Sequence, residues 1–291
     1  MRVSVNNIQF YCAWFCPYAQ RAWIALEHHK IPYNYVESLI VREDQDDGDH
    51  GYDKNPKLLA INPKGLVPTI DLPTRIVDET ELLRKQKKGE AFRTLSIKPI
   101  DDEERNEPAM VLMESLDCVE FLNSLGEICN DKEAYCDLIP DSSLLKDAED
   151  MNKNVCSTFY KVLMKPTFEE QKEAFEYFSK YIGEYVNEIL DGGFYKSTTL
   201  TIVDVTVIPW ILRLPLLRHY RPTLCIEDYI NEEQYKKLEK YIQRINALEA
   251  VKNTLWDDFD KLLAVYVRYA DGTATSQVGQ AVKSGKNAHD I

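Results

Sequence analysis

The chain has 291 residues, 44% of them hydrophobic, which can supply two ordinary domains with a core each. Its formal net charge of −13 argues against nucleic acid or an anionic membrane as a principal partner, because phosphate binding needs clustered Lys and Arg, and leaves room only for a local basic pocket. No apolar run approaches the roughly 20 residues of a membrane span, and residues 1–7 lack the charged and apolar parts of a signal peptide, so a cytoplasmic address is expected.

Seven cysteines, at 12, 16, 118, 129, 136, 156 and 225, are odd in number and scattered, unlike the framework of a secreted disulfide scaffold. They read as reduced thiols. His28 and His29 are adjacent and so point to different helix faces, and there is no Cys-x-x-Cys pair, so no metal is expected. A phosphate-binding glycine loop and a Gly-x-Ser-x-Gly elbow are also missing, which leaves thiol chemistry as the candidate reaction type.

In chain order, Ile8, Phe10 and Cys12 alternate with Gln9 and Tyr11 as a strand does, and Pro17 then opens a helix through Ala22, Trp23 and Leu26. Cys16 falls at the turn, where the unpaired N–H groups and positive dipole of a helix N-terminus favour a thiolate. That makes it a candidate nucleophile, where a lone Cys in an apolar stretch is otherwise a buried structural residue. Tyr33, Tyr35 and Glu37 follow as a second strand, completing β-α-β. Residues 42–53, with six acidic side chains and one Arg, read as a solvated loop, and residues 54–63 as a short helical piece between prolines. At Gly65-Leu-Val-Pro-Thr69 a glycine allows an unusual backbone angle, and a strand starts at a Val67–Pro68 bond whose isomer sequence does not fix.

Residues 73–108 carry eight basic and nine acidic side chains and read as an insertion. Asp78 with Glu81 forms a capping box for one short helix through Lys88, ended by Gly89, and the remainder is expected to be mobile. An apolar strand from Ala109 then meets an amphipathic helix at Glu114-Ser115, a pair that can also be a simple helix cap. Residues 131–141 read as a linker, with Pro140, Asp141 and Ser142 introducing an all-helical region. Helical periodicity covers 144–164, 167–190, 201–219 and 232–248, with a last helix near 256–266. The helix opening at Thr201-Ile-Val-Asp204 is apolar all round and so belongs in the core. Residues 271–291, rich in Gly, Ser, Ala and Thr, read as a disordered tail.

These features together resemble the soluble glutathione transferases, most closely the cysteine-type omega and lambda classes. Cys16-Pro-Tyr-Ala-Gln-Arg-Ala-Trp-Ile-Ala25 is similar to the lambda active-site segment, and Gly65-Leu-Val-Pro-Thr69 to the family's cis-proline turn. Glu114-Ser-Leu-Asp117 is similar to its Glu-Ser glutathione clamp, and Thr201-Ile-Val-Asp204 with Pro209-Trp210 to the capping box and pocket tryptophan of its helical domain.

The resemblance implies a thioredoxin-like α/β domain with a mixed four-stranded sheet over residues 1–130, followed by an all-α bundle over 142–270. It implies glutathione as co-substrate, with Cys16 catalytic and Tyr18 beside it. Val67 would offer its backbone next to a cis Pro68, Glu114 and Ser115 would hold the γ-glutamyl group, and Lys54 would reach the glycyl carboxylate. Trp210 would face the second substrate. One departure stands out: 45 residues separate Pro68 from Glu114, far more than in the family, while Glu79-Thr80 sits at the family's spacing. Glu114-Ser115 is preferred because Leu116-Asp-Cys-Val-Glu-Phe-Leu122 continues as the family's helix does.

Conjugating transferases use a Ser or Tyr hydroxyl, whereas a cysteine can form a mixed disulfide itself. Ala19 stands where a dithiol oxidoreductase carries its second cysteine, and Cys12 reads as a packed core residue. The expected enzyme is a monothiol glutathione-dependent transferase acting on protein or small-molecule glutathione adducts, with dehydroascorbate reduction as a variant. The other readings are an apolar-ligand carrier using the pocket near Trp210, and a redox-regulated interaction module. The resemblance leaves both a homodimer and a monomer open.

Overall fold

In the computed structural model, residues 8–42, 51–72, 96–98, 109–130 and 134–290 are described. The chain divides into two units: Met1–Asp137 with Glu249–Trp256, and Leu138–Leu248 with Asp257–Ile291.

The first unit is built on strand β1, Gln9–Cys12. β1 pairs in parallel with β2 (Asn34–Glu37) on one side and antiparallel with β5 (Thr69–Leu72) on the other. Because both faces of this central strand are covered, Tyr11 is buried along with Phe10 and Cys12, where simple alternation would have left it outside. Antiparallel pairing continues from β5 to β7 (Ala109–Met113), giving the mixed four-stranded sheet β2-β1-β5-β7.

A fifth strand extends that sheet. β6, Ser96–Lys98, pairs antiparallel with β7 and takes the edge position. This corrects the expectation of a mobile remainder for the insertion at those three residues, since an edge with unpaired N–H and C=O groups can recruit a short strand that has little apolar periodicity of its own. The helix expected from Asp78 to Lys88 and the alternative pair Glu79-Thr80 lie outside the described residues. A separate two-stranded ladder joins β3 (Leu39–Val41) to β4 (Tyr52–Lys54).

Helix α1, Pro17–His28, starts at the proline, whose missing N–H is no loss in a first turn. It packs against α3 (Ser115–Cys129) and against the returning α10 (Glu249–Lys252). The return is anchored by polar groups: Gln20 Nε2 donates to the Thr254 carbonyl at 3.0 Å, and Asn253 Nδ2 to Glu27 Oε2 at 2.7 Å. Between β4 and β5, α2 (Pro56–Ile61) is capped by the Asn55 side chain, which accepts from Lys57 N.

The second unit is helical. The stretch expected as one helix over 144–164 is α4 (Ser143–Met151), a five-residue π-helical turn at Asn152–Cys156, and α5 (Ser157–Met164). It is followed by α6 (Phe168–Glu188). The helix expected to reach His219 is also divided, into α7 (Ile202–Ile211) and α8 (Leu214–Tyr220), where Pro215 opens the second piece. Every residue of α7 is buried, as expected for a helix apolar all round. α9 (Glu232–Ala247) and α11 (Phe259–Ala270) follow.

The expected disordered tail is corrected by α12, Gln277–Lys283, whose N-cap Ser276 accepts from Gly279 N. Small side chains account for the docking of a segment without large apolar residues. Ala274, Ala281, Val282 and Ala288 are buried, and a Cβ on Gly279 would stand 2.9 Å from that of Ala274. The ring Nδ1 of His289 lies 2.7 Å from Ser157 Oγ, tying the tail's end to α5. Among the described residues no helix is long and apolar enough to cross a membrane.

Candidate functional site

Cys16 is the N-cap of α1, with extended backbone angles (φ −83°, ψ 116°) and its N–H bonded to the Ala13 carbonyl at 2.9 Å. Its carbonyl accepts from Gln20 N at 3.0 Å, so the thiol stands over the open first turn of the helix, half-buried. Cys16 Sγ lies 3.9 Å from the Val67 carbonyl. The Val67–Pro68 bond is cis.

The turn before Pro68 is held by its own polar groups. Asn62 Nδ2 donates to Thr69 Oγ1 at 2.9 Å, and Thr69 Oγ1 donates to the Leu66 carbonyl at 2.7 Å. Within this scaffold the Val67 N–H has no partner among the described residues, although Val67 is only 8% exposed. A buried backbone donor left open beside a thiol suits a peptide ligand that can accept from it.

Lys54, at the end of β4, folds over the same loop and donates to the Lys64 carbonyl at 2.6 Å. Partial desolvation lowers its pKa from the ordinary lysine value. Gly65, at φ +60°, makes room for that side chain: a Cβ there would meet Lys54 Cδ at 2.4 Å.

Directly after β7, Glu114 is the N-cap of α3 with φ 67°, a left-handed value uncommon for a non-glycine residue. Its side chain makes no cap hydrogen bond. The simple-cap alternative for Glu114-Ser115 therefore fails for Glu114. Desolvation first, then the Asp117 carboxylate, raise the Glu114 pKa above its usual range, while Lys64 and Arg21 oppose the rise. Ser115 is buried and its Oγ accepts from Arg21 Nη1 at 2.9 Å.

Cys16, Tyr18, Lys54, Val67, Pro68, Glu114 and Ser115 all belong to the first unit. Tyr18 stands on the first turn of α1 with the Arg21 guanidinium 5.1 Å from its ring centroid. Trp210 belongs to the second unit and is fully buried on α7. Sequence reasoning missed Gln20 and Arg21, both fully buried on α1. The signal was present: two polar side chains sit next to each other in the run Ala-Gln-Arg-Ala, within the otherwise apolar stretch 19–26. Cys12 is fully buried, and burial pushes its thiol well above the usual range, with the neighbouring Cys16 adding to the rise. Among the described residues no group of three or more His, Cys, Asp or Glu could hold a metal ion.

Residues 15–125 match the family model described as glutathione S-transferase, N-terminal domain. The chain has the glutathione transferase fold. It is similar to glutathione transferase Omega 3C from Trametes versicolor, with 24% identity, 91% of each chain covered and a TM-score of 0.61. A Tau class glutathione S-transferase from mango, Mangifera indica, superposes with a TM-score of 0.61 at 16% identity, over 92% of this chain and 100% of that one. Rice GST1, solved in complex with glutathione, shares 16% identity over 91% of this chain and 98% of its own, with a TM-score of 0.58. No curated protein matches the chain. The thioredoxin-like unit followed by a helical unit is thus the architecture of a glutathione transferase, and omega-class structures recur among its structural neighbours.

Proposed function

We propose that the protein is a glutathione-dependent thiol transferase with Cys16 as its single nucleophile. The observation that carries this reading is the placement of Cys16 Sγ at the open N-terminus of α1, 3.9 Å from the carbonyl of a Val67 whose N–H is uncommitted. The helix terminus favours the thiolate, and the adjoining cis-proline turn offers one backbone donor and one acceptor, the pair an extended peptide needs.

In the first step the Cys16 thiolate attacks the glutathionyl sulfur of a mixed disulfide R–S–SG. The new bond is Cys16–S–SG, and RS⁻ leaves to take a proton from water. In the second step a glutathione thiolate attacks the glutathionyl sulfur of that adduct, releasing oxidised glutathione and restoring Cys16. The sum is RSSG + GSH → RSH + GSSG. Ala19 leaves no resolving thiol on the next turn, and Cys12 is too buried and too weakly acidic to act, which supports external resolution.

Lys54 is the group proposed for the glycyl carboxylate, Glu114 and Ser115 for the γ-glutamyl end, and Tyr18 for the wall beside the thiol. Trp210 as the second-substrate wall rests on family resemblance alone. Protein and small-molecule glutathione adducts are the proposed substrates, dehydroascorbate a further oxidant for the same thiol, and the cytoplasm the proposed compartment.

Incubation with oxidised glutathione followed by peptide mass spectrometry tests the reading. A single glutathionyl adduct on Cys16, together with loss of reductase turnover in Cys16→Ser, is expected. An adduct elsewhere, or turnover retained in Cys16→Ser, overturns it.

A further inference from the structure

Arg21 is fully buried, five residues beyond Cys16 on the same helix. A buried guanidinium is costly unless its donors are hydrogen-bonded. Its Nη1 donates to Ser115 Oγ at 2.9 Å, across 94 residues of sequence, and its guanidinium stands 5.1 Å from the Tyr18 ring centroid.

Two chemical consequences follow from that bond. A guanidinium has donors only, so Ser115 Oγ must be the acceptor, and its one hydroxyl hydrogen is released to donate to a third group. The positive charge behind the hydroxyl also makes the space in front of Ser115 favourable to an anion. Beside it, Glu114 at φ 67° presents a carboxyl that makes no cap bond with its own helix. One residue of the pair is therefore set as a donor backed by positive charge, and its neighbour is an acid.

We propose that Arg21 is a positioning residue that fixes the polarity of the Glu114-Ser115 pair, directing the carboxylate of an α-amino-acid zwitterion to Ser115 and its ammonium to Glu114. Arg21 has no exposed surface with which to touch the ligand and acts through the hydroxyl. The inference rests on the proposed function, since the zwitterion in question is the γ-glutamyl end of glutathione. It goes further by naming what makes the two ends of that group distinguishable.

The test compares glutathione with two peptides that each lack one charge. 4-Aminobutyryl-cysteinyl-glycine has no α-carboxylate, and glutaryl-cysteinyl-glycine has no α-ammonium. In the wild-type protein, KM for the peptide without the carboxylate is expected to exceed that for glutathione by at least about tenfold, the size of one lost charge-assisted hydrogen bond. In Arg21→Met that ratio should collapse below about threefold, a larger change than in the ratio for the peptide without the ammonium, on which Arg21 acts only through its charge near Glu114. Arg21→Lys, which keeps the charge and a donor, should restore part of the carboxylate discrimination. A variant that merely loosened the fold would move both ratios together.

Should Arg21→Met fail to fold, as read by circular dichroism, Arg21→Gln removes the charge with a polar side chain and carries the same readout. An unchanged carboxylate ratio in either folded neutral variant overturns the proposal, and so does a wild-type protein that does not discriminate against the peptide lacking the carboxylate. Glutathione turnover intact with either result leaves the proposed function standing. A wild-type protein that neither binds nor turns over glutathione overturns both.

Discussion

Cys16 Sγ and the carbonyl oxygen of Val67 lie 3.9 Å apart, although 51 positions separate them in the chain. The contact brings a helix N-terminus to a cis-proline turn, the two backbone features that can activate a thiol and align a peptide against it. Cys12, four residues earlier, has the same side chain in a fully buried strand position.

That contrast gives the first prediction. Burial holds the Cys12 thiol well above its ordinary pKa, so at neutral pH it should resist alkylation while Cys16 reacts. Iodoacetamide labelling followed by peptide mapping should show Cys16 modified at least about tenfold faster than Cys12. Cys12→Ala should keep turnover within about twofold of wild type, whereas Cys16→Ser should lose at least about a thousandfold. Equal labelling of the two thiols would point to a dithiol mechanism instead.

Gly65 supports a second prediction. At φ +60° any L side chain is strained by roughly 1–2 kcal/mol, and a Cβ would also press on Lys54 Cδ at 2.4 Å and Leu59 Cδ2 at 2.9 Å. Gly65→Ala should therefore displace the Lys54 ammonium from its seat on the Lys64 carbonyl. The expected result is a KM for glutathione raised about tenfold, close to that of Lys54→Ala, in line with one charge-assisted hydrogen bond. The double variant should be no worse than Lys54→Ala alone. Additive losses would show that Gly65 acts on something other than Lys54.

How much of this was legible in the chain follows the range of the interactions. The Cys16-Pro17 helix start and the Thr201-Asp204 capping box are set within a few residues, and both stand in the structure as the sequence implies. The division of the 201–219 helix is likewise local, with Pro215 in the first turn of α8. The Arg21–Ser115 bond, the edge strand at Ser96–Lys98 and the return of Glu249–Trp256 to the first unit are different in kind. They depend on which surfaces meet after folding, and hydrophobic periodicity carries no record of that. The tail shows the same limit. Gly279 and its alanine neighbours look unstructured by composition, yet they permit the close approach that docks α12.

His29 supplies a prediction about pH. The ring is 3% exposed, stacks on Tyr135 at a centroid distance of 5.6 Å, and fills the space left by Gly126, where a Cβ would meet it at 2.5 Å. Desolvation first, then the neighbouring His28, push its pKa down to about 3. In the unfolded chain the ring takes its proton near the ordinary histidine value of about 6.5. Between those two values the unfolded state binds the extra proton, so stability falls as pH drops from 6.5 towards 3, by up to about 1.4 kcal/mol per pH unit. Urea midpoints followed from pH 7 to pH 5 should decline more steeply in wild type than in His29→Asn. Parallel curves would remove His29 as the cause.

The last prediction concerns the helical unit. Asp204 Oδ1 accepts from the Tyr185 hydroxyl at 2.7 Å and the Tyr241 hydroxyl at 2.8 Å, and Oδ2 from Thr201 N at 2.9 Å and Thr201 Oγ1 at 2.6 Å. The carboxyl is fully buried, and burial raises its pKa against the pull of those donors. Asp204→Ala would strand several buried donors at about 1–3 kcal/mol each, so a loss of roughly 3 kcal/mol or more is expected. Asp204→Asn keeps one acceptor oxygen but turns an amide donor towards either the tyrosine hydroxyls or the Thr201 N–H. The hydroxyls can rotate to accept, and the backbone N–H cannot. Asn should therefore place its oxygen towards Thr201, at the Oδ2 position that the Tyr195 N–H also approaches at 3.3 Å, give up the 3.1 Å bond from Tyr195 N to Oδ1, and cost less than Ala. Chemical denaturation of the two variants, followed by circular dichroism of the helical signal, checks the order. An alanine variant as stable as wild type would mean that the tyrosine pair, joined at 2.6 Å, satisfies itself without the carboxylate.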